Sequence, residues 1–178
     1  LEIGDFLAYP RFNEVNDFDY LDLTNFIKDY KILNNDFILP KNGRNHRGKI
    51  NKIIKIDKDF CRLLGYFLSE GYLIGENDLG FSFNSKEREY IEDVTTLIKN
   101  SFGLDNFKID SRRENQADII FCSNILNQFF RRFYSSEVKK SYTKSLSSEF
   151  SLLCKEKTAE ILRGWWRGDL GVTVSREL

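Results

Sequence analysis

One short stretch of this 178-residue chain occurs twice, and the repetition constrains the fold more than any other feature. Residues 63–71 read LLGYFLSEG and residues 162–170 read LRGWWRGDL, so Leu63 matches Leu162, Gly65 matches Gly164 and Glu70 matches Asp169, each pair 99 positions apart. In both copies two aromatics follow the glycine, and an acid stands five positions after it. Glycine inside a helix costs about 1 kcal/mol relative to alanine. Two helices that accept this cost at one register are expected to pack backbone against backbone. An acid at a helix C-terminus also opposes the macrodipole, by roughly 0.3–1 kcal/mol. Paired helices would bring Glu70 and Asp169 together at one end, and close carboxylates repel unless a cation neutralises them. A divalent ion with oxygen ligands does so, and Mg²⁺ is the usual choice beside phosphate. The chemistry implied is metal-assisted phosphodiester hydrolysis. A single copy would read as ordinary helix packing.

Charge at first argues against a nucleic-acid partner, because Lys+Arg and Asp+Glu both number 27. The distribution reverses this. Residues 1–40 carry eight acids and three bases, so the remainder holds a net excess of five positive charges. The longest one-sign stretch is Lys41, Arg44, Arg47, Lys49, Lys52 and Lys55. On charge alone a solvated connector is the simpler reading of it. Three cysteines without CxxC spacing argue against a disulfide framework and a thiolate zinc site. They fit a reducing, intracellular compartment, so a cytoplasmic location is expected. No apolar run reaches membrane-spanning length, and no signal peptide is expected from these residues. The chain opens on Leu1 and reads as a fragment cut at both ends.

Periodicity predicts an α+β fold. LEIGDFLAYPRF, residues 1–12, reads as two short strands around a Gly4-Asp5 turn. Residues 13–56 read as a connector, basic near its end. From 57 onward the pattern sharpens. A helix capped by Asp59 runs to Glu70, with Gly71 in a left-handed turn. Residues 79–84, LGFSFN, alternate as a half-buried strand. The next helix starts at Asn84 or Ser85 with Glu87 in a capping box; it carries Tyr90, Ile91, Val94, Leu97 and Ile98 and stops at Gly103. Strands follow at 106–112 and 117–122. Asn115 turns between them, and the run from Ile119 to Cys122 suggests burial on both faces. A helix from Ser123 to about Tyr134, a Ser-rich stretch and a helix from about Lys155 to Asp169 complete the order. YLIG at 72–75 is a further short strand.

LLGYFLSEG and LRGWWRGDL resemble the two copies of the LAGLIDADG motif of homing endonucleases, whose eighth position is the catalytic and metal-binding acid. FSFNSKEREYIEDV and AEILRGWWRGD resemble the family's text around its motifs, so the likeness spans about 60–178. The resemblance implies αββαββα halves whose curved antiparallel sheets straddle the DNA major groove. Here 57–154 would form the first half and 155–178 the opening helix of a truncated second, with a small β-rich segment ahead of both. It further implies Mg²⁺, double-stranded DNA with a long asymmetric site, and a pseudo-twofold monomer at full length. A family lysine assists the attacking water. KSLS offers Lys144, with Lys140 as second choice and a surface lysine as the alternative; Ser147 replaces the family's proline. Leu170 stands where the motif has glycine, with Gly171 next. LEIGDFLAYPRF resembles the late strands of an intein splicing domain, which makes an intein the parent. Leu1 and Leu178 supply neither the nucleophile nor the His-Asn end of splicing, and the only histidine, His46, lies in the connector.

The expected base readers are the outward strand residues Ser82, Asn84, Lys108, Asp110 and Arg112, with Arg113 beside them; a solvated face fits the same alternation. Lys41, Arg44 and Arg47 are expected to add phosphate contacts. The competing reading is a degenerate, non-cleaving DNA- or RNA-binding module (maturase-like). A third reading, a structural α+β domain, predicts Glu70 and Asp169 far apart or salt-bridged to Lys or Arg.

Overall fold

The central helix, α1 (Lys58–Glu70), starts because Asp57 adopts extended backbone and its carboxylate accepts from the amides of Asp59 and Phe60, each at 3.1 Å. Asp57 is therefore the cap, not Asp59, which sits in the first turn and pairs with Arg62 at 3.1 Å. The computed structural model describes residues 15–41, 48–111, 114–136 and 141–169. The expected 1–12 strands lie outside the described residues, as do Arg44, His46, Arg47, Arg112, Arg113, Lys140, Leu170 and Gly171.

α1 buries Phe60, Cys61, Leu63, Leu64, Tyr66 and Phe67 and forms the middle of the core. It ends by turning straight into β6 (Gly71–Ile74). Gly71 is extended (φ −73°, ψ 147°) rather than left-handed. The glycine is needed for space: a Cβ there would stand 2.7 Å from the Phe67 carbonyl oxygen.

β6 opens a four-stranded antiparallel sheet with β7 (Asp78–Asn84), β8 (Lys108–Asp110) and β9 (Gln116–Cys122), in the order β6-β7-β9-β8. Leu79, Phe81 and Phe83 pair with Phe121, Ile119 and Ala117 and are buried against the helices. Intervening residues face the other way. Burial on both faces of 119–122 does not occur: Ile119 and Phe121 are fully buried, Ile120 is half-buried and Cys122 exposed. The sheet is antiparallel with one helix-covered face, so burial alternates.

α2 (Arg88–Phe102) begins later than expected. Glu87 reaches back to the Asn84 amide at 2.9 Å, as a capping box does, but Asn84 accepts from the Lys86 amide and the chain turns once before the helix starts. Gly103 closes it at φ 72°. α3 (Asn124–Arg131), capped by Ser123, is shorter than its apolar spacing suggested, because beyond it the backbone of Tyr134 bridges to Lys144. The Ser-rich stretch contains a short α4 (Ser148–Ser151), and α5 (Lys155–Asp169) follows with the expected bounds.

Where a connector was expected, the described residues form two small antiparallel sheets. One pairs β1 (Tyr20–Asp22) with β5 (Ile53–Lys55); the other joins β2 (Tyr30–Leu33), β3 (Phe37–Pro40) and β4 (Ile50–Asn51). Leu21, Leu23, Ile38, Ile50 and Ile54 belong to the same hydrophobic cluster as α1. Phe18 packs on Phe150 and Phe26 on Phe129, at 5.6 and 6.5 Å between centroids. Aromatic pairs of this geometry add to the stabilisation from apolar burial.

Candidate catalytic end of the paired helices

The two repeat helices touch through their glycines. A Cβ on Gly65 would overlap the Ile161 carbonyl and stand 2.9 Å from Gly164 Cα; one on Gly164 would overlap the Arg62 carbonyl and stand 2.9 Å from the Tyr66 nitrogen. Four residues further along, a Cβ on Gly168 would come within 2.8 Å of Glu70 Cγ. Gly65 thus meets Gly164, and Ser69 and Glu70 meet Gly168, so α1 and α5 run side by side in parallel at the 99-residue offset of the repeat. Glu70 is the last residue of α1, and Asp169 is the last described residue of α5. The fold brings both helix ends to one place. Glu70 is half-buried there; Asp169 is described through its backbone.

Lys144 is held at the same end. Its ammonium donates to the carbonyls of Phe67 (2.9 Å), Ser69 (3.1 Å) and Gly71 (2.8 Å). A lysine has three donors. These carbonyls lie at the end of α1, where the Gly71 amide also donates to the Phe67 carbonyl, and at the start of β6, where the negative pole of the helix favours a cation. Lys144 thereby satisfies the C-terminus of α1 and offsets the cost of placing Glu70 there.

A second network fixes the last turn of α5. Arg167 donates to Asp93 (3.1 Å) and to the Tyr66 hydroxyl (3.2 Å), while Tyr66 donates to Asp93 (3.0 Å). Burial, more than its neighbours, pushes the Tyr66 phenol above its usual range, so it remains a donor. α2, α1 and α5 are joined at one point, two residues before Asp169. Sequence periodicity marks none of these three residues, because the network forms only between helices distant in the chain.

The remaining expected residues divide by location. Ser82, Asn84 and Lys108 lie on the sheet face turned away from the helices, as their register with Asp118, Gln116 and Ile120 requires. Lys41 lies instead at one end of that face, in a polar cleft with Lys28, Glu76, Asp78, Cys122 and Arg131. Sequence reading overlooked Tyr72, Gln116 and Asp118 on the open face. The alternation of Gln116, Asp118 and Ile120 was available, but the apolar run beside it masked the period of two.

α5 presents Leu162, Trp165 and Trp166 to solvent, 38%, 43% and 58% exposed. Their counterparts in α1, Leu63, Tyr66 and Phe67, are 0% exposed under the sheet. Among the described residues no group of three or more His, Cys, Asp or Glu side chains is placed to hold a metal, and no described helix is long and apolar enough to cross a membrane.

No family model matches the chain. It is 36% identical over 179 residues to an uncharacterized protein of Methanocaldococcus jannaschii, covering 100% of this chain and 21% of that protein. A second uncharacterized protein of the same organism is 34% identical over 127 residues, 67% of this chain and 14% of that protein. The DNA polymerase II large subunit of Thermococcus kodakarensis is 31% identical over 113 residues, 63% of this chain and 6% of that protein. The chain therefore spans about a fifth or less of the length of each of these relatives.

Proposed function

We propose that this chain is part of a site-specific, double-strand DNA endonuclease of the LAGLIDADG type, carried within an intein. The observation that supports this most directly is the parallel, glycine-to-glycine pairing of α1 and α5, which brings Glu70 and the backbone of Asp169 to the same end of the pair. A second support is the four-stranded antiparallel sheet, in which Asn84 and Lys108 are exposed on the face away from the described helices. A third is the exposed apolar stripe of α5, which would be covered, as α1 is, by a second αββαββ unit. The intein reading draws on the occurrence of similar stretches as small parts of longer proteins, one of them a DNA polymerase subunit.

Mg²⁺ suits this donor set. It is commonly bound by one or two carboxylates together with substrate phosphates and water, rather than by an all-protein cage. Glu70 and Asp169 would hold it, and when bound it would activate water and stabilise the leaving oxygen. The protein's own part is positional: the glycine contacts set the helix spacing, Lys144 secures the end of α1 and Arg167 that of α5. The open sheet face would lie in the major groove.

One observation favours the alternative of a non-cleaving DNA- or RNA-binding module: the Lys144 amine is bound to three carbonyls, which leaves it poorly placed to assist an attacking water. Selection of cleavage sites from a randomised duplex library, with the full-length protein and Mg²⁺, decides between them. The endonuclease reading expects double-strand breaks at one long site, abolished in Glu70→Gln and Asp169→Asn while binding persists. Specific binding without breaks in the wild type would support the module instead. Absence of any duplex binding would sink the endonuclease.

A further inference from the structure

The centre of the open sheet face is built against the usual rules for a strand. Asp118 lies on β9, an interior strand, where aspartate is normally depleted. Across β8 it stands directly opposite Asp110, and like charges so placed destabilise a strand pair. It is half-buried and makes no ion pair with a described residue. Its side-chain hydrogen bonds from described residues come from one neutral group: the Gln116 amide nitrogen donates to both carboxylate oxygens, at 3.1 and 3.2 Å. The same nitrogen donates to Ser82 at 2.9 Å, so Gln116 ties β7 to β9 and holds the carboxylate in one orientation. Choices that cost stability on several counts at once are expected where function demands them.

An ionised carboxylate only accepts hydrogen bonds, so whatever meets Asp118 must donate. Phosphate is excluded as its partner by charge. On the major-groove edge of base pairs the donors are the cytosine N4 and adenine N6 amino groups, whereas guanine O6 and N7 and thymine O4 are acceptors. Adenine places its N7 acceptor beside its amino group, which a carboxylate repels; cytosine presents the donor alone. We infer that Asp118 is a specificity-determining residue that reads the exocyclic amino group of one cytosine, with Gln116 as its positioning residue. The inference rests on the DNA-binding reading above and adds to it which base edge this face accepts.

Bind-and-sequence selection on duplex libraries, with the full-length protein and its Asp118→Asn, Asp118→Arg and Gln116→Leu variants, tests it. The wild type should prefer cytosine at one position of its site by about 5- to 150-fold, the range of a single good side-chain-to-base contact. Asp118→Asn should lose most of that preference while melting no earlier than the wild type, since it relieves the opposition to Asp110. Asp118→Arg should transfer the preference to guanine, and Gln116→Leu should weaken it without replacing it. If the variants only tighten or loosen binding equally on all sequences and steepen its salt dependence, Asp118 is a source of bulk charge and the inference falls. If the wild type selects a site with no cytosine dependence, it falls as well. A wild type that binds no duplex overturns the DNA-binding reading itself, a result distinct from either.

Discussion

Gly65 and Gly164 lie against one another across the α1–α5 contact, each where a Cβ would strike the other helix's backbone. The pair sets how near the ends of the two helices come.

Gly65→Ala and Gly164→Ala should each be destabilising in denaturant unfolding, because an overpacking cost at the upper end of about 1–3 kcal/mol exceeds the helix-propensity gain of about 1 kcal/mol. Gly48, with nothing within 4 Å of its would-be Cβ, is the control. Gly48→Ala should stay within about 0.5 kcal/mol. Equal effects at all three positions would mean that the helix contact is not the tight one.

Lys144→Met removes a cation from three carbonyls at the end of α1. The expected loss is about 2 kcal/mol in the same assay, in the range for hydrogen bonds to a charged group. A variant as stable as the wild type that nonetheless fails to cleave would return Lys144 to a role in water activation.

Lys157 clamps the N-terminal segment to the start of α5, binding Asp17, the Phe18 carbonyl (2.8 Å) and Asp19 (2.9 Å). Burial works against the Asp17 carboxylate, but hydrogen bonds from the Cys154 amide and Lys157 outweigh it and hold its pKa below the usual 3.8. Burial likewise works against the Lys157 ammonium, but Asp19 and Asp17 outweigh it and hold its pKa above 10.5. A depressed acid contributes stability above its unfolded pKa and loses it as pH falls through the folded value; a raised base loses its contribution as pH climbs through the folded value. The clamp should thus act across the neutral range and fail below pH 3.8 and above pH 10.5. Lys157→Met should lower neutral stability and flatten both limbs of a stability-against-pH curve. Unchanged limbs would show that other groups carry them.

Cysteine reactivity reports on the open face. Cys61 is buried, which pushes its pKa up to about 12, while Cys122 is exposed at the corner of the sheet next to Asp78. Alkylation should therefore reach Cys122 in the native protein and Cys61 only on unfolding. Bound target duplex should slow the reaction at Cys122 at least severalfold. If saturating duplex leaves its rate unchanged, DNA does not cover that end of the sheet.

Short windows of the chain encode the local pieces. Gly65 and Gly164, the acids five residues beyond them, the α5 bounds and the alternation of Leu79, Phe81 and Phe83 are all visible in short windows, because helix and strand periods are properties of neighbouring residues. Cap identity was harder to read: Asp57 and Asp59 are both competent, and only the backbone angle at Asp57 chose between them. Long-range packing set the rest: the segment ahead of α1 folds as strands onto the core, and Lys144 reaches back 73 to 77 residues to the end of α1. Those contacts join residues far apart in the chain, and their energy depends on packing that no local pattern encodes.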